Sequence, residues 1–180
     1  MSRPLSILTV CSYNRVRSVM AQLLLQRALD AAGVRATVQG AGFAEPGKPP
    51  LPDTVRVLRQ LGLDAAAVLT TRVDDAMVAG ADLVLTAERL HVVRLAEDRH
   101  DVFAKAYTLP EFAARAEAAG QRGRRTMHEW LAAVGQGRTH AGFLSPATPE
   151  IADPAGLSTD AFGATAIDID GWCRAIARLL

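Results

Sequence analysis

"PLSILTVCSYNRVRSVMAQLLLQRALDAAG", residues 4–33, changes its hydrophobic period halfway along. "PLSILTVC" (Pro4 to Cys11) is a short apolar run rich in β-formers and reads as a buried strand. From Ser18 the apolar residues recur at helical spacing, and Gly33 supplies a stop. Six residues, Ser12 to Arg17, join the two elements. Cys11 ends the strand, and Arg17 and Ser18 open the helix.

The same alternation continues downstream. "VRATVQG" (Val34 to Gly40) reads as a second strand, and "GFAEPGKPPLP" (Gly42 to Pro52) as a loop dense in turn residues. Asp53 to Gly62 reads as a helix with an Asp cap and Val55, Leu58 and Leu61 on one face. "ADLVLTA" (Ala81 to Ala87) is a third buried strand, followed by a helix over Glu88 to Glu97. "KAYTL" (Lys105 to Leu109) reads as a fourth. Helical stretches follow over Pro110 to Ala119 and Arg124 to Val134. A turn-rich segment then leads to a last helix over Thr159 to Leu180. Alternating strands and helices predict an α/β fold with a parallel sheet and helices on both faces. In such sheets ligands sit beyond the carboxyl ends of the strands, where Cys11 falls.

Composition bounds the rest. The 180 residues, 49% of them hydrophobic, suit one domain over residues 1–180, extended by a helical segment at about 110–146. A net charge of +1 argues against a dedicated nucleic-acid or membrane-surface protein. No apolar run is long enough for a transmembrane helix, and the N-terminus does not read as a signal peptide. The two cysteines, Cys11 and Cys173, read as reduced thiols of a cytoplasmic protein. The four histidines (His91, His100, His128, His140) lack metal-site spacing, so no metal and no cofactor are expected.

A strand, a tight loop and a helix N-terminus form a concave ring of backbone N–H groups that suits a tetrahedral oxyanion. A thiol in that field is favoured as thiolate, the nucleophilic form. Arg17 is placed to hold two oxygens of the anion, and Ser18 to donate a hydroxyl hydrogen bond to the sulfur. C-x5-R alone is a weak signal, and a core cysteine beside a solvated arginine stays open as the alternative. Phosphoryl transfer to sulfur also needs a general acid. The candidate is Asp153 in "EIADPAG", whose plainer reading is an Asp-Pro turn opener.

Cys11, Arg17, Ser18 and Asp153-Pro154 together resemble the low-molecular-weight protein tyrosine phosphatase family. Ala41 to Phe43 with "GKPP", and "ADLVLTAERLHVVRL" (Ala81 to Leu95), are similar to that family's second-strand loop and third strand with helix. The resemblance implies a four-stranded parallel sheet flanked by helices, a flavodoxin- or Rossmann-like arrangement. It implies Cys11 as nucleophile, Arg17 as phosphate clamp and Asp153 as general acid. Ser12, Tyr13, Asn14, Arg15, Val16, Arg17 and Ser18 would line the phosphate, with Asn14 shaping the loop. The implied activity is hydrolysis of phosphate monoesters through a phosphocysteine. The implied partner is a phosphorylated protein or small molecule, and the chain is expected as a monomer or weak homodimer.

The sequence departs from that pattern in places. Tyr13 stands where the family has glycine. Gly40 and Val68 stand where a serine and a histidine hold the asparagine, which leaves Asn14 in need of other partners. Arg15 replaces an aliphatic wall residue, and Ala155 and Gly156 replace tyrosines, so Tyr13 and Phe43 are left to supply aromatic wall. Val16 replaces a second loop cysteine, and Cys173 reads as a small core residue. Arg122, Arg124 and Arg125 read as a solvated helix start, with a docking patch for an acidic partner as the alternative. Two further functions stay open. One is an arsenate reductase that passes its adduct to an external thiol such as mycothiol. The other is a phosphate-binding module with impaired catalysis.

Overall fold

In the computed structural model, which describes residues 3–97 and 99–180 (His100 by its backbone alone), four parallel strands form one sheet. They are β1 (Leu5–Cys11), β2 (Ala36–Gly42), β3 (Leu83–Thr86) and β4 (Ala106–Thr108), in the spatial order β2-β1-β3-β4. The chain leaves β1 toward β2 on one side and returns to β3 on the other. The order therefore reverses beside the carboxyl end of β1, the crevice where such sheets bind ligands.

Helices cover both faces. Alternation along β1 sends Ile7 and Cys11 to one core and Leu8 and Val10 to the other. On the first face lie α1 (Arg17–Ala31), α2 (Pro52–Gln60), α5 (Leu109–Ala119), α6 (Met127–Val134) and α8 (Thr159–Leu179). On the second lie α3 (Asp75–Gly80), α4 (Arg89–Ala96) and α7 (His140–Phe143). Cys173 is fully buried in the first core, and burial pushes its thiol pKa up. No helix among the described residues is long and apolar enough to cross a membrane.

Some local expectations shift. The second strand starts and ends two residues later than its composition suggests, so Ala41 and Gly42 are paired with Val10 and Cys11. The cap of α2 is Leu51, with Pro52 in the first turn and Asp53 inside the helix. Segment 110–146 contains α5, α6 and α7 with turns between them, and the short α3 and α7 carried too few residues to show a period. Arg122 and Arg125 are neither helix start nor free patch. Both guanidinium groups donate to backbone carbonyls, Arg122 to Leu180 and Arg125 and Arg125 to Ala119, Gln121 and Arg122. They tie the turn before α6 to itself and to the end of α8.

Candidate active site

The loop after β1 is shaped by Asn14, the one non-glycine with a left-handed backbone among the described residues (φ 53°). Asparagine tolerates that region better than most side chains. Tyr13 is not left-handed, so the loop makes no demand for glycine at that position. The tight requirement lies across the sheet, at Gly42. A Cβ there would come within 2.7 Å of the Asn14 nitrogen and 3.0 Å of the Cys11 carbonyl oxygen. The end of β2 thus presses against the loop, and only a glycine admits that approach.

Asn14 has the partners that Gly40 and Val68 cannot supply. Its Oδ1 accepts from the Thr71 backbone N–H at 2.9 Å, and its Nδ2 donates to Ser18 Oγ at 2.8 Å. Gly40 leaves room for Gln22, whose Oε1 would lie 2.4 Å from a Cβ at that position. Asn14 donates into the Ser18 oxygen, and the hydroxyl lies 3.1 Å from Cys11 Sγ, where it can donate its proton to a thiolate. Cys11, Asn14, Arg17 and Ser18 are all buried.

Arg17 reaches from the start of α1 toward two other segments. Its Nη1 donates to Glu88 Oε1 and to the Ile151 carbonyl at 3.0 Å, and its Nη2 to Asp153 Oδ2 at 2.8 Å. Its Nε is buried and has no partner among the described residues. A buried donor left open is costly, and an anion oxygen is the natural acceptor for it. Asp153 is turned into the same place. Its Oδ1 accepts from the Ala155 N–H at 3.1 Å, a short turn that fixes the carboxylate after α7.

Two residues that motif reading passed over complete the arrangement. Glu88 and His91 form a reciprocal cap at the start of α4. Glu88 also holds Arg17, and His91 Nε2 lies 3.0 Å from Ser12 Oγ. The Glu88 N–H donates to His91 Nδ1, which assigns the remaining ring proton to Nε2 and so makes His91 the donor to Ser12. Desolvation pushes the His91 pKa down to about 4, so the ring is neutral at pH 7. The first turn of α4 therefore grips both ends of the loop. It also holds the segment carrying Asp153. Arg89 pairs with Glu150 at 2.9 Å, and the Ile151 N–H donates to the Ala87 carbonyl at 2.8 Å. Only the capping spacing was visible in the sequence.

Cys11, Tyr13, Arg15, Val16, Arg17, Leu51, Asp153 and Ala155 line a pocket of about 220 Å3. Phe43 is not among them. It stacks on His91 (5.7 Å between ring centroids) and lies beneath Arg94, so the aromatic wall is Tyr13 alone. A larger cavity, about 770 Å3, lies at the amino-terminal end of β3 and β4. Its Asp82, Lys105 and Arg138 are engaged in intramolecular bonds, so size does not mark the chemistry here. Among the described residues no three metal-ligating side chains come together.

A family model for low molecular weight phosphotyrosine protein phosphatases matches residues 6–121. The chain belongs to that family. It is accordingly a hydrolase of the family's cysteine-based phosphatase kind. The matched part carries the loop, Gly42, Glu88 and His91; Asp153 lies beyond it. Among solved structures, a mutant of YwlE from Bacillus subtilis superposes with a TM-score of 0.74 at 22% identity, covering 97% of each chain. The YwlE arginine phosphatase of Geobacillus stearothermophilus gives 0.72 at 22%, over 97% of this chain and 92% of that one. Vibrio vulnificus Wzb, in complex with benzylphosphonate, gives 0.70 at 22%, over 98% and 99%. These likenesses establish the common fold. No curated protein matches significantly by sequence.

Proposed function

We propose that this phosphatase hydrolyses aryl phosphate monoesters through a phosphocysteine on Cys11. The observation that carries the reading is the convergence of Cys11, Arg17 and Asp153 on one pocket, with the Arg17 Nε buried and open. The phosphate would sit on the loop N–H groups and Arg17. Its oxygens would compete with Asp153 for Nη2 and so release that carboxyl for proton transfer. The Cys11 thiolate attacks phosphorus while the ester P–O bond breaks and Asp153 protonates the departing oxygen. Water then attacks the phosphocysteine, gives its proton to Asp153, and inorganic phosphate leaves with regeneration of the thiolate. Ser18, held by Asn14, steadies the thiolate between the steps. The loop and Arg17 stabilise the charge of the transferring group.

The pocket walls also bear on substrate. Tyr13 supports a ring, whereas the Arg15 cation disfavours the guanidinium of a phosphoarginine, the substrate type named for the YwlE enzymes. The intact hydrogen bonds of Asn14 argue for a working loop over an impaired binding module. Hydrolysis of p-nitrophenyl phosphate tests the reading. Cys11→Ser should lose at least about 10^4-fold in kcat, and acid quench of the wild type should trap phosphate on Cys11. Asp153→Asn should lose about 10^2-fold with phenyl phosphate and less with the better leaving group, nitrophenol. Turnover that survives Cys11→Ser, or arsenate-dependent thiol consumption without ester hydrolysis, would overturn it.

A further inference from the structure

Arg15 is a cation of the pocket for which the proposed hydrolysis has no task. It is nonetheless held in place. Its carbonyl accepts from the Leu51 N–H and the Thr54 hydroxyl, both at 3.1 Å, and its Nε donates to the Pro49 carbonyl at 2.8 Å. Those bonds fix the backbone and the near edge of the guanidinium. Nη1 and Nη2 have no partner among the described residues. Arginines elsewhere in the protein show the usual alternative. Arg56, Arg89, Arg99 and Arg174 each pair with a carboxylate. The carboxylate nearest at hand in the pocket is Asp153, and Arg17 holds it.

Arg15 stands on the wall formed with Tyr13, Leu51 and Ala155, where the leaving group of an ester must lie. The phosphate itself already has Arg17 and the loop N–H groups. A tethered guanidinium edge at the wall therefore faces the remainder of the substrate, and its planar pair of NH2 groups suits a carboxylate. We propose that Arg15 makes this pocket select phosphate monoesters whose leaving group carries a carboxylate beside the ring. The inference rests on the proposed phosphatase reading and names its substrate class. The carboxylate would come from the phosphorylated molecule itself or from an acidic residue flanking a phosphotyrosine. In either case Arg15 binds it as the ester enters, and the attraction falls with salt.

The test compares 3- and 4-carboxyphenyl phosphate with the uncharged carboxamides of the same shape. A second arm compares phosphotyrosine peptides flanked by Glu with peptides flanked by Gln. In at least one arm kcat/KM should favour the carboxylate about tenfold at low ionic strength, and the arm with the larger ratio identifies the source. The ratio should fall toward unity in Arg15→Gln and in 0.5 M salt, and Arg15→Lys should restore part of it. A ratio near one in both arms of the wild type, or a preference that persists in Arg15→Gln, overturns the inference. If no ester of any kind turns over, the phosphatase reading fails by itself. Calorimetric binding of 4-carboxybenzylphosphonate against its carboxamide then still decides the role of Arg15, by the same ratio.

Discussion

Two arginines of this protein are equally hidden and put to opposite uses. The side chains of Arg17 and Arg138 are each 3% exposed, and each meets a glutamate. Arg138 follows α6, and each of its three side-chain nitrogens has a partner. It makes a two-pronged pair with Glu111 (2.7 and 3.1 Å), donates to the Phe103 and Ala106 carbonyls, and lies 4.0 to 4.6 Å from the rings of Phe103, Tyr107 and Phe143. It fastens segment 109–143 to the edge of the sheet. Arg17 has Glu88, Ile151 and Asp153, yet its Nε has no acceptor among the described residues. A buried arginine with every nitrogen engaged by the protein is part of the scaffold. One with a donor left open beside a cysteine suits an acceptor that a ligand would bring.

The contrast breaks most visibly at Arg17 itself. Arg17→Met should lower kcat/KM for p-nitrophenyl phosphate by on the order of 10^3-fold, the cost of losing preorganised donors to transition-state charge. Stability should fall by less, because Glu88 and Asp153 are partly exposed and rehydrate. If turnover and stability fell in proportion, Arg17 would be scaffold like Arg138.

Arg138→Met is the mirror image. It leaves the buried Glu111 with Arg115 as its remaining cation and should cost up to about 3 kcal/mol in urea unfolding. Turnover per folded molecule should stay within twofold, since no contact of Arg138 reaches the loop. A large loss of kcat in the folded fraction would show that segment 109–143 takes part in the chemistry.

A smaller effect sharpens what α4 does. His91 has its pKa lowered by burial to about 4, against 6.5 for the free side chain. The unfolded chain therefore takes up a proton between those values that the folded chain refuses. Stability is full above pH 6.5 and is lost as pH falls toward 4, by about 2 kcal/mol between pH 7 and 5. The lowered carboxylates, Glu129 and Glu150, act below their ordinary value of 4.5, so among the described residues this window belongs to His91. Denaturation at pH 7, 6 and 5 should show the slope in the wild type and a flatter one in His91→Asn. An unchanged slope would remove His91 from the account.

Much of the sheet is legible in the amino-acid order. Leu5 to Cys11 and the helix after it differ in period, and the strand and helix segments after them follow the same logic. The α3 and α7 turns were not legible, because four to six residues carry no period. In the site, Cys11, Arg17, Ser18 and Asp153 stood out, since each is a reactive or charged residue at an element boundary. Glu88 and His91 did not, because three-residue spacing at a helix start reads as capping and nothing more. Phe43 was misjudged as pocket wall, since its side chain turns to His91 instead.

Periodicity, turn residues and the position of one cysteine were set by neighbours along the chain, so the amino-acid order was enough to read them. Partnership was set by the sheet. Placing β3 against β1 brings Glu88 to Arg17, 71 residues apart, and His91 to Ser12, 79 apart. Pressing the end of β2 on the loop makes Gly42 necessary. Which donor of Arg17 stays open, and which edge of Arg15, depends on where other segments stop in space. No local pattern encodes that, because a buried hydrogen bond is specified by three-dimensional packing and leaves no periodic trace in the residues that make it.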